Sequence, residues 1–121
     1  MLIGIDIIDI DRVRNVVCRT PRFLKRVYTE AELNYCMSKK NPYPSLAARF
    51  AAKEAVRKLH PALAGCRWQE IEVNLNPDGS PTLCLHGRAR RAQLDAGLAA
   101  PSISLSHSAQ QAVAAIITAK G

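Results

Sequence analysis

The chain has 121 residues, with 17 Lys and Arg against 10 Asp and Glu, and a net charge of +7. That length fits one domain with its own core and leaves little room for a deep private cleft around both a large cofactor and a protein partner. Apolar residues make up 48% and charged residues 22%, which excludes a disordered chain.

Leu2–Ile8 is rich in Ile and predicts a buried strand. Asp9 is placed to cap a helix over 10–18, and Pro21 suits the first turn of a short helix to Val27. Thr29 with Glu32 three residues on is a capping-box pattern for a helix to Ser38. Asn41-Pro42-Tyr43-Pro44 is a break. The longest helix opens at Pro44 or Ser45 and runs to Leu59, where His60-Pro61 ends it. A loop over 61–68 leads to a strand at Ile71–Leu75. Asn76-Pro77-Asp78-Gly79 then turns the chain into a returning strand at Thr82–Leu85. Gly87–Ala96 reads as a helix closed by Gly97. Strands at Ser102–Ser106 and Ala112–Thr118 complete the chain. A helical first half and a strand-rich second half give an α+β fold class, with helices packed on a small, mostly antiparallel sheet, in one domain over 1–121.

No stretch approaches the ~18 apolar residues of a membrane span. Met1–Ile10 is interrupted by Asp6 and Asp9 and lacks the basic start and cleavage site of a signal peptide. A cytoplasmic protein with no membrane partner is expected. The four cysteines, Cys18, Cys36, Cys66 and Cys84, lack the paired spacing of a zinc site and read as buried reduced thiols. The charge is uneven: residues 1–60 hold 12 basic and 6 acidic side chains, residues 61–121 hold 5 and 4. Arg12, Arg14, Arg19, Arg22, Lys25 and Arg26 run without an acid between them, a patch that speeds encounter with an anionic partner without naming it. Nucleic acid is not expected, because only Phe23 of the six aromatics falls within the patch, too few to interleave it as base stacking requires.

Three places carry chemistry-bearing residues. Asp6 lies in an apolar run, where a carboxylate either caps the next turn or needs a cation. Glu54 lies on the long helix on the side of Ala47, Phe50, Ala51, Arg57 and Lys58; it suits either a surface pair with Lys58 or a close approach by another element. Ser104-Leu105-Ser106-His107-Ser108 ends a strand with hydroxyls and an imidazole, which suits a phosphate or a polar turn. Adjacent Ser and His on a strand point to opposite faces, so they form no nucleophile–base pair. One carboxylate from a strand and one from a helix suit Mg²⁺, which keeps waters and takes substrate phosphates.

These segments together resemble the small holo-acyl-carrier-protein synthases, a group of 4′-phosphopantetheinyl transferases. The matching blocks are Ile3-Gly4-Ile5-Asp6-Ile7 with Arg12, Phe23–Leu33, Arg49–Lys58, Asp78-Gly79-Ser80-Pro81 and Ser104–Ser108, in order along nearly the whole chain. The resemblance implies transfer of the 4′-phosphopantetheine arm of coenzyme A to a serine of apo acyl carrier protein, with release of adenosine 3′,5′-bisphosphate, in fatty acid biosynthesis. It implies that Asp6 and Glu54 hold Mg²⁺, that Glu54 takes the serine proton, and that Lys58 offsets phosphate charge. His107, Ser106, Arg49, Gly79 and Pro81 fall near the nucleotide, and Arg12, Arg14, Arg22 and Arg26 where the acidic carrier docks. It also implies a homotrimer with shared active sites, in which Leu83–Leu85 and Ala112–Ile117 could serve the subunit interface. The chain departs from the pattern after its signature helix: Leu59-His60-Pro61-Ala62-Leu63-Ala64-Gly65 stands where a glycine–threonine–glycine loop is usual.

Overall fold

In a computed structural model that describes residues 1–120, the expected elements form in the expected order. They are β1 (Leu2–Asp9), α1 (Ile10–Arg19), α2 (Arg22–Val27), α3 (Glu30–Met37), α4 (Tyr43–Leu59), β2 (Ile71–Leu75), β3 (Pro81–Leu85), α5 (Gly87–Asp95), β4 (Ser102–His107) and β5 (Gln111–Thr118). The strands form two antiparallel sheets rather than one: β1-β5-β4 and the hairpin β2-β3. The first and last strands pair along their length, from Leu2 opposite Thr118 to Asp9 opposite Gln111. No helix among the described residues is long and apolar enough to cross a membrane.

The alanine-rich α4 lies against β1 and β5, with Ala47, Ala48, Ala51, Ala52 and Ala55 buried. Small side chains let backbone approach backbone, and the closest approach falls at Gly4. A Cβ there would stand 2.1 Å from the carbonyl oxygen of Ala55. Glycine at this position is therefore a packing requirement. At Gly79 the requirement is conformational, because φ is +88° in the β2–β3 turn.

The capping box forms as read. Thr29 Oγ1 accepts from Glu32 N–H at 3.3 Å and Thr29 N–H donates to Glu32 Oε1 at 2.9 Å. The same glutamate is then buried: its Oε1 receives Lys53 Nζ at 2.7 Å and its Oε2 receives Val73 N–H at 2.9 Å. Lys53, fully buried, also donates to the carbonyl oxygens of Trp68, at 3.0 Å, and Ile71. Burial draws the Lys53 pKa below its ordinary value, and the Glu32 charge opposes that shift. This pair ties α3, α4 and β2 together, and either partner left alone would be an uncompensated buried charge.

Four expectations change. Asp9 makes no side-chain cap to α1; its Oδ1 accepts from Gln111 Nε2 at 3.1 Å across the sheet. The strand at β1 is not buried on both faces: Ile3, Ile5 and Ile7 are 62%, 60% and 59% exposed, while Gly4, Asp6 and Ile8 face α4 and the core. Cys18 is exposed and Cys84 half-buried, so only Cys36 and Cys66 behave as buried thiols. The loop after α4 contains two 3-10 turns, Pro61–Leu63 and Trp68–Glu70.

Candidate active site

Strand alternation and helix pitch bring the two chemistry-bearing carboxylates to one place. Asp6, on the inner face of β1, and Glu54, on α4, line a cleft of about 370 Å³ with Arg12, Val13, Phe23 and Phe50. Lys58 does not pair with Glu54. Its Nζ reaches Asp6 Oδ1 at 2.6 Å instead, from a depression formed with Ile5, Ile7 and Val113. Asp6 borders both hollows and joins them. Glu54 Oε1 accepts from the indole Nε1 of Trp68 at 2.7 Å and lies 3.5 Å from Arg57 Nη1.

A second cleft, of about 280 Å³, lies beyond the N-terminal half of α4. It brings together Arg49, Gly79, Pro81, Ser106 and His107 from four separate segments, with Tyr35 and Leu75. Arg49 is only 4% exposed, and its Nε is buried without a hydrogen-bond partner. Its guanidinium lies over the Tyr35 ring at 4.5 Å and donates to Ser45 O at 3.3 Å, and no carboxylate pairs with it among the described residues. A buried guanidinium left short of acceptors suits an anionic or carbonyl-bearing ligand. The imidazole of His107 is exposed, with Nδ1 3.3 Å from Ser108 O.

Within one chain the two clefts share no lining residue. Glu54 lies in one with Asp6, His107 in the other and Lys58 in the depression on the far side of Asp6, so the three catalytic candidates, Glu54, Lys58 and His107, are not assembled in a single hollow. The basic stretch divides as well. Arg12 borders the acidic cleft itself. Arg14 is tied to Asp11 at 2.9 Å and stacks on Tyr43. Arg22 is exposed on α2, and Arg26 borders a further hollow with Arg57 and Arg67. Where the glycine-rich loop is usual, His60 Nδ1 accepts from Ala62 N–H at 3.0 Å and Leu63 is buried. That segment is pinned by a cap and an apolar anchor in place of glycines.

Among the described residues no cluster of three or more His, Cys, Asp or Glu could hold a metal ion, so a closed zinc or calcium cage is not built here. Two carboxylates from different elements, with space beside them, fit Mg²⁺, which takes one or two carboxylates and fills its shell with water and phosphate oxygens.

Comparisons with known proteins give the family and the fold. Residues 2–117 match the family model of the 4′-phosphopantetheinyl transferase superfamily. The chain belongs to that superfamily. It is 49% identical over 105 residues to a holo-[acyl-carrier-protein] synthase of Moorella thermoacetica, covering 86% of this chain and 82% of the relative. Among solved structures, the holo-[acyl-carrier-protein] synthase of Neisseria meningitidis superposes with a TM-score of 0.87 at 25% identity, over 99% of this chain and 100% of that one. The Helicobacter pylori synthase, solved in complex with coenzyme A, superposes with a TM-score of 0.80 at 28% identity, over 97% and 99%. The α+β phosphopantetheinyl transferase fold read from the sequence is the fold observed.

The sequence reading gave no part at the site to Trp68, and placed Phe50 only beside Glu54 on the helix and Phe23 only in a family block. Trp68 is the chain's one tryptophan, placed before a predicted strand, and that uniqueness was the available signal.

Proposed function

We propose that this member of the superfamily transfers the 4′-phosphopantetheine arm of coenzyme A to a serine hydroxyl of an apo acyl carrier protein. The serine oxygen bonds to the β-phosphorus of coenzyme A, the bond from that phosphorus to the bridging oxygen breaks, and adenosine 3′,5′-bisphosphate leaves. The observation that carries the reading is the pair of clefts: one with two carboxylates, one with a buried Arg49 short of acceptors.

Glu54 is the group we assign to take the serine proton, since its carboxylate borders the cleft that Asp6 and Arg12 share. Asp6 and Glu54 would hold Mg²⁺, which when bound offsets the charge of the pyrophosphate. Lys58, now on Asp6 at 2.6 Å, supplies a cation to the phosphates once Asp6 is otherwise engaged. In the second cleft Arg49, Ser106 and His107 receive the nucleotide end, with Gly79 and Pro81 forming its wall. Arg12, Arg14, Arg22 and Arg26 receive the acidic carrier, through charge complementarity. Nucleic acid has no part in the reading.

The clefts become one site in a homotrimer whose neighbouring chains each supply one half. Supporting this, Ile3, Ile5, Ile7 and Ile117 leave an apolar sheet face uncovered by their own chain. Ser106 shares a row of that sheet with Val113 and Ile7, at the border of the second cleft. Of the residues expected to serve an interface, Val113, Ala115 and Ile117 alternate onto that face, while Leu85, Ala112, Ala114 and Ile116 are buried in the chain's own core. A cytoplasmic location goes with the reading.

Mass spectrometry of an apo carrier protein incubated with coenzyme A and Mg²⁺ tests it. The carrier gains the mass of the phosphopantetheine arm with the natural chain, and not with Asp6→Ala or Glu54→Ala. Full transfer by either variant would overturn the assignment.

A further inference from the structure

The Glu54 carboxylate is gripped from one side. Its Oε1 receives the Trp68 indole N–H at 2.7 Å and faces Arg57 Nη1 at 3.5 Å, whereas Oε2 forms no hydrogen bond among the described residues. The indole is itself held. Its ring centroid lies 6.1 Å from that of Phe50, and the Arg57 guanidinium sits over it at 5.1 Å. Its backbone carbonyl accepts from Lys53 Nζ at 3.0 Å, and Lys53 is locked at 2.7 Å to Glu32 in the core. A continuous set of contacts thus runs from the buried ion pair to one oxygen of the carboxylate. A glutamate has free side-chain torsions, and a carboxylate that must meet a cation or a proton gains from having one oxygen tied and the other open. A neutral donor and a cation on Oε1 do this without adding a competing acid to the cleft.

We infer that Trp68 is a positioning residue: through its indole N–H it fixes Glu54 Oε1, so that Oε2 is the oxygen presented to the cleft beside Asp6. The inference rests on the role given to Glu54 above and goes beyond it, because it predicts which oxygen works and what holds it.

Trp68 is the chain's single tryptophan, so its emission reports on the surroundings of this one indole, the Glu54 contact among them. Emission spectra of the natural chain and of Glu54→Ala, each without metal, should differ in maximum or intensity, and titration with Mg²⁺ should change the spectrum of the natural chain only. Trp68→Phe keeps the ring packing and removes the N–H. Its kcat should fall roughly 10–100-fold, as is usual when the partner of a ligating or catalytic side chain is lost, with little change in KM for coenzyme A. Identical emission in the natural chain and Glu54→Ala, or natural kcat in Trp68→Phe, would overturn the inference. A Trp68→Phe chain that fails to fold leaves the decision to the emission comparison, which does not use that variant. Full transfer by Glu54→Ala would remove the role of Glu54 itself, and this inference with it. Loss of transfer in Glu54→Ala beside a fully active Trp68→Phe would remove only the inference.

Discussion

Replacing Gly4 by alanine probes the contact on which the acidic cleft is built. The added Cβ would lie 2.1 Å from Ala55 O and 3.0 Å from Ala55 C. An ordinary C···O contact is roughly 3.3 Å, so β1 and α4 would have to part by about 1.2 Å. The obstructing atoms are backbone of a buried helix and cannot rotate aside. Overpacking costs typically about 1–3 kcal/mol, and this contact belongs at the upper end. For a chain of this size about 3 kcal/mol lowers Tm by roughly 10–15 °C. Asp6 lies two residues beyond Gly4 on the same face of β1, and Glu54 directly precedes Ala55, so the same displacement separates the two carboxylates. Thermal unfolding followed by circular dichroism, at equal protein concentrations, measures the first effect. Mass-spectrometric transfer at a temperature where the variant stays folded measures the second. A Tm within about 2 °C of the natural protein's would refute the packing argument.

The remaining predictions concern charge. Arg49→Met should weaken coenzyme A binding at least tenfold by calorimetry while leaving the Tm of the ligand-free chain unchanged or raised, because the guanidinium is buried with Nε unpartnered; a large loss of ligand-free stability would argue for a structural role. Burial alone would raise the pKa of Glu72, but hydrogen bonds from Thr29 Oγ1, His86 Nε2 and Asn74 Nδ2 hold it below the usual carboxylate range. A carboxyl depressed in the folded state contributes stability above its unfolded pKa of about 4.3 and loses it as pH falls through the folded value. The urea midpoint of the natural chain should therefore exceed that of Glu72→Gln at pH 7, and the gap should close as the pH drops below about 4; a gap independent of pH would contradict the sign.

Much of this was legible in the residues. The capping box at Thr29 and Glu32, the turn at Asn76–Gly79 and the proline stops set element bounds to within a residue or two, because those signals act locally. The pairing of β1 with β5 and the meeting of Asp6 with Glu54 depend on contacts some fifty or more residues apart in the chain. The ordered family blocks pointed to the second, and nothing in the residues pointed to the first. Helix spacing offers Lys58 a partner in Glu54 at i−4, whereas the strand lying across α4 supplies Asp6 at 2.6 Å. Lys53 carried no signal: a lysine beside a glutamate on a helix reads as solvated surface, and its burial follows from Glu32 arriving out of another helix. The exposure of Ile3, Ile5 and Ile7 was equally hidden, since an isoleucine-rich strand looks the same whether its second face meets its own chain or another.

The division of the candidate residues between two clefts reaches past the single chain. In the proposed homotrimer each seam would join the acidic half of one chain to the cationic half of the next. A chain broken at Glu54 keeps its Arg49 half, and a chain broken at Arg49 keeps its Glu54 half. Two dead proteins, unfolded and refolded together in equal amounts, should recover about a quarter of the natural sites by chance pairing, while each refolded alone stays silent. Intersubunit complementation of this kind would make the seam between chains the unit of activity.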